Sequence, residues 1–193
     1  ELDVLMLGCI FPRWCSITAK KSLKWMPVLG WFMALSKTVF IDRANRATAR
    51  AAFDGAAAQM RREKQSVFIF PEGTRSYATS PDLLPFKKGA FHLAIQAQVP
   101  IVPVVVANYS HILNAKERIF RSGVIDVSVL PPIPTTGLTS ADADRLTQRT
   151  RDAMMDELIR LSHLRPYDDG AAAATGVDMG AGTGARRKVE AAL

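Results

Sequence analysis

The chain has 193 residues, 48% of them apolar and 22% charged, which is room for one ordinary globular core and excludes two generous ones. A formal charge of +7 points to an anionic partner, and nucleic acid, a membrane surface and phosphorylated small molecules all satisfy it. Two cysteines, Cys9 and Cys15, with no ligand-like histidine beside them, exclude a disulfide framework and a zinc site and suit a reducing compartment.

The opening ELDVLMLGCIF is acidic at its front and too short for a signal peptide or a spanning helix, and a chain starting at Glu1 is expected to begin earlier in its natural form. A first β-rich run follows at 14–18 (WCSIT). Residues 20–36 join a basic start to Trp25, Met26, Leu29, Trp31, Phe32, Met33 and Leu35; this fits either a short interfacial element or a core helix interrupted near Pro27 and Gly30. Its apolar run falls below the ~20 residues a span requires. A second β run lies at 38–41. The Ala- and Arg-rich stretch 46–63 reads as a helix with Asn45 as a possible N-cap. Further β runs occupy 66–70, 101–107 and 124–130, with helices at 87–98 and at 139–163, the latter opening on a Thr139-x-x-Asp142 box.

Strand and helix therefore alternate. The class expected is α/β, a mainly parallel sheet flanked by helices, with 124–130 as a possible antiparallel edge. Residues 1–164 read as one domain, and the Gly/Ala-rich residues 165–193 as a disordered tail.

The string SVFIFPEGTRS carries the most chemistry. An apolar strand ending at Phe70 leads into Pro71-Glu72-Gly73-Thr74-Arg75-Ser76, and loops at the carboxyl ends of parallel strands are where open α/β sheets bind ligands. Gly73 permits close approach of a ligand to the backbone, Arg75 offers a planar fork for phosphate oxygens, and Thr74 adds a hydroxyl. Read bare, this is an oxyanion-binding loop; the bland alternative is a surface turn braced by Glu72 and Arg75.

Phe70 to Ser76 resembles the FPEGTRS signature of the lysophosphatidic acid acyltransferase family, in a flavour nearest its fungal enzymes. Phe40-Ile41-Asp42-Arg43 is similar to that family's second block and Val99-Pro100-Ile101-Val102-Pro103-Val104 to its fourth. Lys20-Lys21-Ser22-Leu23 and Pro85-Phe86-Lys87-Lys88-Gly89-Ala90-Phe91 also match in order, so the resemblance runs from Glu1 to Leu164. The family's first block is Asn-His-x-x-x-x-Asp. Asp3 stands at its aspartate, which places the histidine three residues before Glu1, so this stretch by itself is expected to be inactive.

The resemblance implies transfer of a fatty acyl group from acyl-CoA to the sn-2 hydroxyl of lysophosphatidic acid, giving phosphatidic acid. Asp3 would orient the upstream histidine as general base. Arg43, Arg75, Lys20 and Lys21 would bind phosphate together with Thr74, Glu72 would hold the loop, Gly73 would lie at the oxyanion, and Pro103 would shape a strand end near the acyl chain. His92, His111 and His163 read as structural. No cofactor, metal or nucleic acid is expected, acyl-CoA being a substrate. Residues 25–35 would touch the membrane, the location would be the endoplasmic reticulum with the domain facing the cytosol, and anchors would lie upstream. The alternatives are another acceptor, such as glycerol-3-phosphate or a different lysophospholipid, and a lipid- or acyl-CoA-binding homologue that has lost catalysis.

Overall fold

The computed structural model describes residues 3–36, 38–41, 46–164 and 186–191. Helix α1 (Asp3–Ile10) leads into strand β1 (Cys15–Lys20), which runs directly into a 3₁₀ turn (Lys21–Trp25) and helix α2 (Leu29–Leu35). A side chain on Gly30 would collide with the Lys24 carbonyl, so glycine is what lets the 3₁₀ segment fold straight back on α2. Strand β2 (Val39–Ile41), helix α3 (Arg46–Glu63) and strand β3 (Ser66–Phe68) follow.

These strands form a parallel sheet in the order β2-β1-β3, with Thr18 opposite Val39 and Cys15 opposite Ser66. Parallel neighbours need a crossover: the 3₁₀ turn and α2 connect β1 to β2, and the long α3 carries the chain from β2 past β1 to β3. Its alanines are strong helix formers, and two of them, Ala56 and Ala57, are buried against Leu93 and Ala97 of helix α4 (Gly89–Ala97). Small residues on both helices allow their axes to approach. Helix α4 stops at Gln98, which turns left-handed with φ 54° while the Val99 N–H donates back to Ala94.

The expected α/β class holds, but its antiparallel part is larger than a single edge. Strand β4 (Val104–Val106) pairs with none of the parallel strands. It runs antiparallel to strand β7 (Gly123–Val129), with Val105 opposite Ser128. The run 101–107 is also interrupted: Ile101 forms an isolated bridge with Ile133, and Pro103, lacking an N–H, separates that bridge from β4. Between β4 and β7 a two-strand hairpin intervenes, β5 (Leu113–Asn114) and β6 (Ile119–Phe120).

Helix α5 (Ala143–Leu164) packs Leu158 and Leu161 on Val105. A 3₁₀ turn at Ser140–Asp142 precedes it. There the Asp142 carboxylate accepts from the Thr139 N–H and hydroxyl, each at 3.0 Å, and those bonds hold its carboxyl below the ordinary range. The Thr139-x-x-Asp142 box thus forms as expected. On the other face of β7, Met6 of α1 packs with Ile112, Ile125 and Val127.

Strand β8 (Arg186–Ala191) pairs antiparallel with β7, Val124 lying opposite Glu190. Beyond β4, β7 has a second edge of N–H and C=O groups, and an extended segment satisfies it whatever its Gly/Ala-rich surroundings. The rest of 165–193 lies outside the described residues, as does Asn45.

Candidate active site

From the carboxyl end of β3 the chain leaves through Ile69 and Phe70, whose ring stands edge-on to Phe68 with centroids 5.4 Å apart. It then turns: the Gly73 N–H donates to the Phe70 carbonyl at 3.2 Å, and Gly73 takes φ +66°, a conformation that favours glycine. A Cβ on Gly73 would stand 3.3 Å from Cγ of Lys87, so the absent side chain is also what lets Lys87 lie against the turn.

Two further bonds pin the loop from the segment before α4. The Lys87 N–H donates to the Pro71 carbonyl at 2.7 Å, and Glu72 Oε2 accepts from the Leu84 N–H at 3.1 Å. Glu72 and Gly73 are half-buried, whereas Thr74, Arg75 and Ser76 are exposed. The arrangement commits a Glu72 oxygen to the backbone and sets a cation and a hydroxyl outward on a rigid turn. The Gly73 N–H itself is engaged inside the turn.

Downstream, the loop is fastened to the other sheet. Asn108, just after β4, donates its amide N–H groups to the carbonyls of Ala78, at 2.8 Å, and Ser80, at 3.1 Å, while its Oδ1 accepts from the Ser110 N–H at 2.9 Å. The Lys116 ammonium, on the β5–β6 turn, sits 5.1 Å from the centre of the Tyr77 ring. Arg151 of α5 donates to the Leu83 carbonyl at 2.5 Å. Each hydrogen bond contributes about 1 kcal/mol net, and together they hold residues 77–84 from three elements.

Lys20 is the last residue of β1 and pairs with Ile41, and Lys21 opens the 3₁₀ turn. Because β1 and β3 are parallel, the end of β1 and the 70–76 loop emerge on the same rim. Asp3 is the first residue of α1, and Arg43 lies outside the described residues. Lys87, Asn108 and Lys116 carried no site role in the sequence reading. Lys87 was legible as part of the Pro85–Phe91 block; the other two depend on contacts between distant segments.

His92, His111 and His163 are all exposed, and burial of part of the ring holds His111 below its ordinary pKa. Cys9 and Cys15 are free thiols. Burial pushes the Cys15 thiol up, against a smaller lowering by a backbone hydrogen bond at Phe68, which makes it a poor nucleophile. Among the described residues no group of three or more His, Cys, Asp or Glu is placed to hold a metal ion.

This chain is 48% identical over 161 residues to an uncharacterized acyltransferase of Schizosaccharomyces pombe, the match covering 83% of this chain and 58% of the relative. It is 46% identical over 168 residues to the 1-acyl-sn-glycerol-3-phosphate acyltransferase of Saccharomyces cerevisiae, covering 87% and 55%, and 43% identical over 176 residues to the human beta enzyme of that name, covering 91% and 62%. The chain thus spans a little over half the length of these relatives. Its fold matches the crystal structure of the 1-acyl-sn-glycerophosphate (LPA) acyltransferase PlsC of Thermotoga maritima with a TM-score of 0.61, at 24% identity and over 82% of this chain and 60% of that one. The Acyltransferase family model matches residues 1–107, the stretch that builds the parallel sheet, the pinned glycine turn and β4, and on that match the chain belongs to the acyltransferase family.

Proposed function

We propose that the chain is the greater part of the catalytic domain of an enzyme that acylates lysophosphatidic acid at its free hydroxyl, with acyl-CoA as donor and phosphatidic acid as product. The observation that carries this reading is the glycine turn of residues 70–76, with Arg75 exposed on it, in a chain 43–46% identical to relatives named for that transfer. The acceptor hydroxyl attacks the thioester carbonyl while a histidine upstream of Glu1, oriented by Asp3, takes its proton. The tetrahedral intermediate then collapses, the C–S bond breaks, and CoA leaves as the thiol after receiving that proton.

In this mechanism Arg75, with Lys20 and Lys21 at the end of β1 and together with Arg43, binds the phosphate, and Thr74 contributes its hydroxyl. Glu72 holds the loop. The Thr74 N–H, next in line after the engaged Gly73 amide, serves the developing oxyanion. Lys87, packed beside Gly73, adds positive potential. No step calls for a metal or for an acyl-enzyme, in keeping with the raised Cys15 thiol.

The test is release of CoA thiol from oleoyl-CoA by the chain carrying its natural upstream sequence, in detergent or lipid. Release that depends on lysophosphatidate supports the reading. Release with glycerol-3-phosphate or another lysophospholipid alone replaces the acceptor, and acyl-CoA binding without release from folded protein points to a binding homologue.

The lipid substrates must be met at a surface. Trp25, Val28, Trp31, Phe32 and Leu35 are 66–85% exposed around the 3₁₀ turn and α2, and no helix among the described residues is long and apolar enough to cross a membrane. Lys24 is exposed in the same segment. Large apolar side chains with a lysine among them suit an element lying in the interface of a bilayer. We place it against the cytosolic face of the endoplasmic reticulum, where free thiols persist. Trp31→Ser with Phe32→Ser is expected to lower flotation with anionic liposomes severalfold, and unchanged flotation removes the membrane contact.

A further inference from the structure

Behind the segment that follows β4 lies a cavity of about 420 Å³, a size that holds a small organic ligand. Pro81, Ile119 and Leu161 give it apolar walls, and Asn114, His111 and Ser162 give it polar edges. Partial burial lowers the His111 pKa, which favours the neutral imidazole there. Apolar walls with amide, imidazole and hydroxyl groups at the rim suit a flat heteroaromatic base. Two carboxylates, Asp126 and Glu117, also line the cavity; they suit the amine edge of such a base and would repel phosphate from the interior.

The turn that carries Glu117 of this lining also carries cations. Lys116 and Arg118 flank Glu117 on the β5–β6 turn, and both are exposed. Arg118 adopts φ +56°, a conformation in which glycine or asparagine would be less strained. A strained turn that carries a cation breaks a local rule, as functional positions do. The cavity also adjoins the pinned loop. Thr79 lines it only four residues after Arg75, no more than about 14 Å of chain, and Asn108 both lines it and holds Ala78 and Ser80.

We infer that this cavity and the β5–β6 turn form the subsite for the adenosine 3′,5′-bisphosphate end of the acyl donor, an assignment that rests on acyl-CoA being that donor. The base enters the cavity, the phosphates lie on Lys116 and Arg118, and the pantetheine arm runs along residues 76–79 to bring the thioester to the Gly73 turn.

The test is calorimetric binding of adenosine 3′,5′-bisphosphate to the chain carrying its natural upstream sequence, without turnover. Wild type binds. Arg118→Gly weakens binding about tenfold, the loss of a charge-assisted contact, while leaving Tm unchanged or higher because glycine relieves the turn. Ser162→Phe, which fills the cavity from α5, weakens it similarly. In turnover, the kcat/KM preference for oleoyl-CoA over oleoyl-phosphopantetheine, a donor without the nucleotide, falls about tenfold in Arg118→Gly. No binding by wild type, equal binding by both variants, or an unchanged donor preference overturns the subsite. A chain that transfers no acyl group yet binds the nucleotide through Arg118 overturns the acyl-transfer reading instead and leaves the nucleotide site standing.

Discussion

Arg75→Ala, in the chain carrying its natural upstream sequence, is expected to lower kcat/KM for lysophosphatidate by about 10²–10³, the loss of a bidentate charge-assisted contact to phosphate. The turn should survive the substitution, because the bonds from the Gly73 N–H to Phe70, from the Lys87 N–H to Pro71 and from the Leu84 N–H to Glu72 all remain. The KM for oleoyl-CoA should therefore move by no more than about threefold. Arg75→Lys should recover part of the loss, since an ammonium restores charge without the fork. Steady-state kinetics in both substrates decides: equal losses toward donor and acceptor would mean that Arg75 shapes the loop.

Gly73→Val is expected to be more damaging to kcat than any exposed change in the loop. Two effects combine. A β-branched residue at φ +66° costs about 1–3 kcal/mol in backbone strain, and its Cβ would press on Lys87 at 3.3 Å. Relief of that strain rotates the peptide after Gly73, the one that carries the Thr74 N–H assigned to the oxyanion. Loss of one such donor lowers turnover by about 10²–10³. Gly73→Asn, which tolerates the left-handed region, should retain more activity than Gly73→Val at equal side-chain intrusion. A Gly73→Val enzyme with turnover near wild type, measured by thiol release, would remove both the donor and the need for the turn.

Much of the fold was legible because its signals are local. Period and punctuation located the helix over 46–63 to the residue at its C-terminal end and the strands at β1, β2, β3 and β7 within a few residues. The Thr139 box marked the start of the last helix because its hydrogen bonds close within four residues. The 70–76 loop was legible for the same reason: a turn that needs a left-handed glycine declares it in the glycine.

Pairing partners were not legible. An apolar run such as 101–107 suits a parallel or an antiparallel neighbour equally, and its one proline, Pro103, does not say which strand it will join. Its antiparallel pairing with β7 depends on a segment some twenty residues further on folding back. The pairing of residues 186–191 is non-local in the same way, since the edge of β7 offers backbone partners to any extended chain.

The sequence by itself determined the α/β class, the family resemblance and the loop with its glycine and arginine, because helix period, turn chemistry and the spacing of a motif are properties of neighbouring residues. Only the tertiary structure decided that Asn108 and Lys116 fasten the segment after Arg75, that Lys87 lies against Gly73, and that a cavity opens beside them. Those contacts join residues up to 39 positions apart in the chain, as Lys116 and Tyr77 are, and loop closure over such distances is settled by the packing of the whole domain.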